Sequence, residues 1–344
     1  MSAIANDFSA LCGNTAAKER FARAVRASTL PHAILLAGPK GSGKHTLALL
    51  LAAAQNCERK EGGAVPCGAC GNCRRILAHN HPDVKTLGKI DGKATIGVTE
   101  LRAFREDMFL SATETAHRFY LIEDAQDMTP PAQNALLKVL EEPPRGVYIL
   151  LLAEATDPLL STIRSRAQLT RMEPIADDAL AAWLRRTEPA AARMASAEPE
   201  RFSALVRFSD GRIGRARGLL DAGALAGREE ENERILGLLR AMHARAPYTS
   251  IHEAVFSLPQ KRAELRDVFE LLLIALRDAA VCSGSGARPL FFASAAEAAG
   301  EAGMIGDRRV LALFDAAEAA LEDIDKNVAI QTLLADFAAG IARR

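Results

Sequence analysis

Short apolar runs alternate with segments of helical period from Ala33 to about Met172. The runs are Ala33–Ala37, Asp83–Leu87, Phe119–Glu123, Tyr148–Ala153 and Gln168–Met172, each of strand length. Between them, Leu47, Leu50, Leu51 and Ala54 share one helical face, as do Val98, Leu101 and Met108, with Arg105 the polar exception. Ala135, Leu136, Val139 and Leu140 form a third such face. This alternation predicts a parallel sheet with crossover helices, the layout of an α/β nucleotide fold. After Glu173-Pro174 the strand signals stop. Residues from Asp177 to about Asp221 read as a few short helices divided at Glu188-Pro189, Glu198-Pro199 and Asp210-Gly211. From about Arg228 the pattern predicts long amphipathic helices, including Glu230–Ala244, Arg262–Val281, Asp307–Ala320 and Val328–Ala342, with an interruption at Ser283-Gly284-Ser285-Gly286. Ile330, Leu333, Leu334 and Phe337 make one stripe of the last helix, read as intramolecular core with an oligomer seam as the alternative. Asn327 is placed as that helix's cap, and Trp183 in the core of its helical segment.

Three features of composition narrow this picture. At 344 residues the chain is long enough for two or three domains, which excludes a single small binding module. Aromatics at 5% and repeated Ala blocks tilt it toward helix. Lys+Arg and Asp+Glu both number 43, so a nucleic-acid or membrane partner would have to be met by local patches or through other proteins. The first seven residues, Met1–Asp7, lack the basic and apolar character of a signal peptide, and no apolar run reaches the ~18 residues of a membrane span, so a cytoplasmic location is expected.

Gly38-Pro39-Lys40-Gly41-Ser42-Gly43-Lys44 follows the first strand and opens a helix, the context that makes such a run a phosphate loop. Gly38, Gly41 and Gly43 let backbone amides turn toward phosphate oxygens, and Lys44 adds a full positive charge. The next position departs from the pattern. His45 stands where a Ser or Thr hydroxyl normally ligates Mg²⁺, and Thr46 comes one residue late, turned about 100° around the helix. The strand ending in Glu123-Asp124 supplies the acidic half of the site in inverted order: Glu for the expected metal-shell Asp, Asp for the expected water-polarising Glu. Carboxylate oxygens displaced by roughly an ångström cost about 10²-fold where positioning carries catalysis, so these departures disfavour productive ATP and Mg²⁺ chemistry.

Cys57, Cys67, Cys70 and Cys73 fall within 17 residues, apart from the isolated Cys12 and Cys282. Two overlapping C-x₂-C steps plus one nearby thiol suit a tetrahedral, structural Zn²⁺ with no open position for substrate, and the compact spacing argues against an iron–sulfur cluster. His79 and His81 are surplus to such a site and are read as loop residues.

Leu30-Pro31-His32-Ala33, the phosphate loop, the cysteine module, His81-Pro82-Asp83, residues 132–144 (AQNALLKVLEEPP) and Thr162-Ile163-Arg164-Ser165-Arg166 occur in that order. Together they resemble the bacterial clamp-loader subunits of the AAA+ class, over about residues 8–225; the helical C-terminal third agrees in length and character only. The resemblance implies an α/β plus all-α chain in three parts. Residues 1–173 would be the AAA+ module with its zinc loop at 57–73, 174–225 a small helical lid, and 226–344 a helical collar. Within the class, His45, the Glu123-Asp124 inversion and Gly214, where gamma/tau-type chains carry a nucleotide-sensing Arg in the lid, favour a delta-prime-like subunit over the ATP-hydrolysing gamma/tau type. Arg215 stands beside Gly214 as a possible substitute for that Arg. The end at Arg344, without a tau-like extension, points the same way.

For such a subunit the resemblance implies no hydrolysis of its own but a place in the DNA polymerase III holoenzyme, loading the sliding clamp on primed DNA beside gamma/tau- and delta-type partners. Ser165-Arg166-Ala167 matches the family's Ser-Arg-Cys motif, which makes Arg166 a trans arginine finger toward a neighbouring ATP site; an ordinary surface ion pair is the plainer alternative. Thr156, in Thr156-Asp157-Pro158, stands at the family's first nucleotide sensor and reads equally well as a turn. A zinc-bearing DNA-binding protein is a third reading, against which the neutral charge counts; Arg74-Arg75 is its only local basic feature.

Overall fold

The computed structural model describes residues 8–59, 65–90, 93–110, 113–243, 247–285, 289–292 and 295–342; Met1–Asp7, Ala244, Gly286 and Arg344, used in the reading above, lie outside them. The chain divides into two compact units, residues 1–197 with 211–217, and residues 198–210 with 218–344.

The first unit is built on five parallel strands: β1 (Ala33–Ala37), β2 (Val84–Leu87), β3 (Arg118–Ile122), β4 (Val147–Ala153) and β5 (Gln168–Arg171), in the order β2-β3-β4-β1-β5. Each lies within one residue of the run expected from sequence. Around them run α1 (Thr15–Arg26), α2 (Lys44–Gln55), α3 (Gly71–Leu77), α4 (Val98–Asp107), α5 (Pro130–Glu141) and α6 (Ser161–Arg164), followed by α7 (Asp177–Thr187) and α8 (Pro189–Ala197). Strands β1 and β3 are buried at every position, as expected when helices cover both faces of a parallel sheet. Their side chains divide between two cores: Ile34, Leu36, Phe119 and Leu121 pack with α2 on one face, and Leu35, Tyr120 and Ile122 pack with α5 on the other. The carboxyl ends of β1, β4 and β3 therefore lie side by side, carrying Gly38, Glu154 and Glu123 respectively.

Asp83, expected to begin the second strand, stands just before it because its side chain has another task. Its carboxylate accepts the amides of Thr113, Glu114 and Thr115 at 2.8–2.9 Å and the Thr115 hydroxyl at 3.0 Å. Burial alone would raise this carboxyl; the amides and hydroxyl outweigh it and hold Asp83 below the usual aspartate range. Such a group stabilises the fold above its unfolded pKa, and the contribution fades as pH falls through the folded value. Asp83→Ala should cost about 1–3 kcal/mol at pH 7, because it removes a buried charged acceptor from three amides and a hydroxyl. The gap from wild type in denaturant titrations should shrink below about pH 4.

The second unit contains α9 (Pro199–Phe208), α11 (Ala222–Ala241), α12 (Tyr248–Phe256), α13 (Arg262–Ser285), α14 (Ala295–Ile305), α15 (Asp307–Asp325) and α16 (Ile330–Ala342); α10 (Ile213–Gly218) precedes α11. Pro199 opens α9 in the first turn, where its missing N–H costs nothing. Leu333, Leu334 and Phe337 of α16 are buried against a core that includes Phe269 and Leu272 of α13, so the predicted stripe is intramolecular packing. Two local expectations are corrected. Helix α13 continues through Gly284 to Ser285, since a single Gly weakens a helix by only about 1 kcal/mol. Asn327 does not cap α16; it adopts φ 59° just beyond α15, a left-handed conformation that Asn tolerates, and its amide closes onto the Ile324 carbonyl. Among the described residues, no helix is long and apolar enough to cross a membrane.

Candidate functional site

The phosphate loop leaves β1 at Gly38 and enters α2 at Lys44, beside a cavity of about 380 Å³. Gly41, Gly43, Lys44, His45, Thr46, Glu123 and Asp124 line it. Gly38 lies outside this lining; a Cβ there would meet the Met172 carbonyl at 2.8 Å. Thr156 is buried in the turn after β4 and is also outside the lining.

Several contacts occupy groups that a nucleotide and its metal would otherwise use. Lys44 Nζ donates to the Gly38 carbonyl at 2.6 Å and the Pro39 carbonyl at 3.1 Å, so the lysine is turned onto its own loop. Burial pushes its pKa down, and Glu154 and Asp124 only partly oppose that. His45 Nε2 lies 3.3 Å from Glu123 Oε1, pairing the residues at the expected hydroxyl and metal-carboxylate positions with each other. Burial also lowers the His45 pKa, favouring the neutral ring, while Glu123 acts in the opposite sense. The His45 ring stacks on His79 with centroids 4.9 Å apart, a contact that a loop assignment for His79 misses. Asp124, at φ 46°, lies 3.5 Å from Lys89, which is held more closely by Asp127 at 2.6 Å.

The loop is also fastened from the α10 side. The Gly214 amide donates to the Gly41 carbonyl at 3.0 Å, and a Cβ on Gly214 would fall 2.8 Å from Gly41 Cα. The closeness requires glycine at 214 and leaves no room for a sensing arginine there without shifting backbone. Gly214→Ala should therefore destabilise by about 1–3 kcal/mol, the usual cost of forced overpacking. Gly237→Ala, whose added Cβ meets nothing within 4 Å, is the control and should be neutral or slightly stabilising in thermal melts.

Trp183 and Arg217 complete the cavity wall and were not expected there. The Arg217 guanidinium lies 5.1 Å from the centre of the Trp183 ring and its Nε bonds Glu188 at 2.7 Å. Trp183 is thus core and cavity wall at once. Arg217, three residues beyond Gly214 and about one helical turn on along α10, lines the cavity.

The four sulfurs of Cys57, Cys67, Cys70 and Cys73 lie within 4.8 Å of one another. Four thiolates at the Zn–S distance would be about 3.8 Å apart, so the cluster closes on a tetrahedral metal ion with small adjustments. The Cys70 amide donates to Cys67 Sγ at 3.3 Å and the Cys73 amide to Cys70 Sγ at 3.4 Å, supplying the N–H groups that steady thiolates. Burial pushes the Cys67 thiol up, but the Ala69 and Cys70 amides and neighbouring thiols outweigh it and bring it to about 7. Burial raises the Cys57 and Cys73 thiols above the ordinary range, so a bound cation is what would deprotonate these two.

Arg166 stands two residues past the end of α6. Its Nη2 meets Glu141 at 2.6 Å, and its Nη1 donates to the Thr162 carbonyl at 3.1 Å and Ser165 Oγ at 3.4 Å. The backbone carrying it is fixed by Gln133, which is buried on α5: Oε1 accepts the Leu160 amide at 2.8 Å, and Nε2 donates to the Pro158 carbonyl at 3.1 Å.

Residues 13–176 match the family model described as DNA polymerase III, delta subunit. Among curated proteins, DNA polymerase III subunit delta' of Bacillus subtilis is 41% identical over 151 residues, 44% of this chain and 45% of the relative. The Escherichia coli subunit delta' is 33% identical over 168 residues, 49% of this chain and 50% of the relative. DNA polymerase III subunit gamma/tau of Mycobacterium bovis is 34% identical over 143 residues, 42% of this chain and 24% of the relative. The chain thus spans about half the length of the delta' proteins it matches.

Proposed function

From the match of residues 13–176 to the DNA polymerase III delta-subunit family model and the likeness to DNA polymerase III subunit delta' of Bacillus subtilis, we propose that the whole chain is a delta-prime-type clamp-loader subunit, a non-hydrolysing member of an AAA+ assembly. The observation that carries this reading is the pairing of His45 with Glu123 at 3.3 Å, in the position where a hydrolysing subunit needs an open Mg²⁺ site. Mg²⁺ prefers oxygen ligands in near-ideal octahedral geometry, and an imidazole there meets neither demand. The Gly41–Gly214 contact removes the space for an arginine at position 214, and Lys44 donates to loop carbonyls.

In this role the chain contributes to a neighbour's ATP site. Arg166 is a planar, permanently charged donor that would stabilise developing charge on a phosphoryl group bound by the next subunit. The three-part reading, with a module at 1–173, a lid at 174–225 and a collar at 226–344 that joins gamma/tau- and delta-type partners, belongs to the same proposal. So do the sliding clamp and primed DNA as the assembly's substrates, the cytoplasm as its location, and a structural Zn²⁺ at Cys57, Cys67, Cys70 and Cys73. The zinc supplies a closed, redox-inert crosslink; the chain's part is to present four sulfurs and the amides that hold them.

A second reading, an ATP-hydrolysing subunit of the gamma/tau type, is favoured by the retained Lys44 and by the Mycobacterium bovis match. Reconstitution separates the two. Mixed with gamma/tau- and delta-type subunits, sliding clamp and primed DNA, the chain should co-elute in one assembly and be required for clamp loading. Loading that proceeds equally well without it would overturn the delta-prime role.

A further inference from the structure

We infer that Glu141 is the positioning residue of the Arg166 finger, an inference that rests on the trans-finger reading above. Glu141 is the last residue of α5, and its Oε1 lies 2.6 Å from Arg166 Nη2. Three contacts hold the guanidinium: Glu141 on Nη2, and the Thr162 carbonyl and Ser165 Oγ on Nη1. A guanidinium carries five N–H donors, so at least two remain for a phosphate while these three fix the plane.

The anchor itself is rigid. Gln133, one face along on α5, is 2% exposed and bonds both the Leu160 amide and the Pro158 carbonyl, tying α5 to the turn that enters α6. Glu141 and the Arg166 backbone therefore keep a fixed relation, and the carboxylate selects one rotamer from a long side chain that is otherwise free to sample many. The pair is open to solvent, with side chains 36% and 49% exposed. An exposed pair contributes little to folding stability, so its value lies in aiming the guanidinium.

Such a residue acts only through its partner, and a double-mutant cycle reads that directly. In the reconstituted assembly, Glu141→Ala should lower DNA-stimulated kcat at the served site by about tenfold with KM unchanged, an effect below the 10²-fold of gross misplacement. Glu141→Asp should restore part of the loss. In an Arg166→Ala background, Glu141→Ala should have no further effect. Wild-type kcat in Glu141→Ala would overturn the inference, as would an equal loss in the Arg166→Ala background, which would assign Glu141 to assembly or folding. An Arg166→Ala variant with wild-type turnover would instead remove the finger reading itself, and the Glu141 inference with it.

Discussion

Arg166→Ala should slow ATP hydrolysis at the neighbouring subunit's site by about 10³-fold or more, the scale on which a trans arginine finger operates. The chain's own fold should be unaffected, because the side chain's bonds are exposed and sit at the end of a four-residue helix. Steady-state turnover falls only by the share of the site that Arg166 serves. A single-turnover burst, counted per assembly, isolates that share: its amplitude should drop by the nucleotide bound next to this chain. Arg164 is the internal comparison. It lies 3.9 Å from Asp157 in an open ion pair, and Arg164→Ala should leave the burst intact. An Arg166→Ala assembly with full burst amplitude and wild-type rate would reduce Arg166 to a surface ion pair.

Loss of the thiolate cluster should have the largest effect on the chain itself. Wild-type protein prepared without chelator should carry about one equivalent of Zn²⁺, and Cys73→Ser should lose it. Cys73 is completely buried, its thiol contacts the Ala53 carbonyl region of α2 at 3.6 Å, and it belongs to the same core as Leu50 and Leu121. Metal binding free energy is folding free energy where the site forms only on folding, so removal should cost several kcal/mol. The consequence reaches the phosphate loop, because α2 carries both Lys44 at its start and the packing against Cys73 near its end. Cys282→Ala, remote in sequence and outside the cluster, should retain the metal. Melting temperatures with and without chelator, alongside metal analysis, test this; a metal-free chain with an unchanged melt would remove the zinc proposal.

The parallel sheet was legible because buried parallel strands are written as unbroken apolar runs bounded by turn residues. Ala33–Ala37 is such a run and matches its strand at both ends. The short helices after Glu173 were equally plain, since Pro189 and Pro199 mark helix starts by chemistry that is local to the chain. The four cysteines were legible for a similar reason: their closeness in sequence makes closeness in space nearly obligatory.

Contacts between distant positions were another matter. Nothing local to Gly214 announces that its amide would bond Gly41, 173 residues earlier. The stack of His79 on His45 depends on a left-handed turn after α3, set by φ 57° at His79, which no periodicity encodes. Arg217, rather than Arg215 beside Gly214, lines the cavity, and its spacing of one helical turn from Gly214 is the signal the sequence offers for it. Glu141 lay in plain view within residues 132–144, yet its partner is 25 residues further on, and only the fold brings the two charges together.

On the proposed delta-prime-type reading, the cavity beside the phosphate loop supports no ATP hydrolysis of its own, because His45 and Glu123 pair with each other and the loop is fastened to Gly214. The most direct measurement is ATP turnover by the isolated chain with Mg²⁺, for wild type and Lys44→Ala, repeated after adding a gamma/tau-type partner. Neither form should turn ATP over alone, and partner turnover should rise with this chain whether or not Lys44 is present. Robust turnover by the isolated wild type, abolished in Lys44→Ala, would contradict this reading and make the chain an ATPase motor.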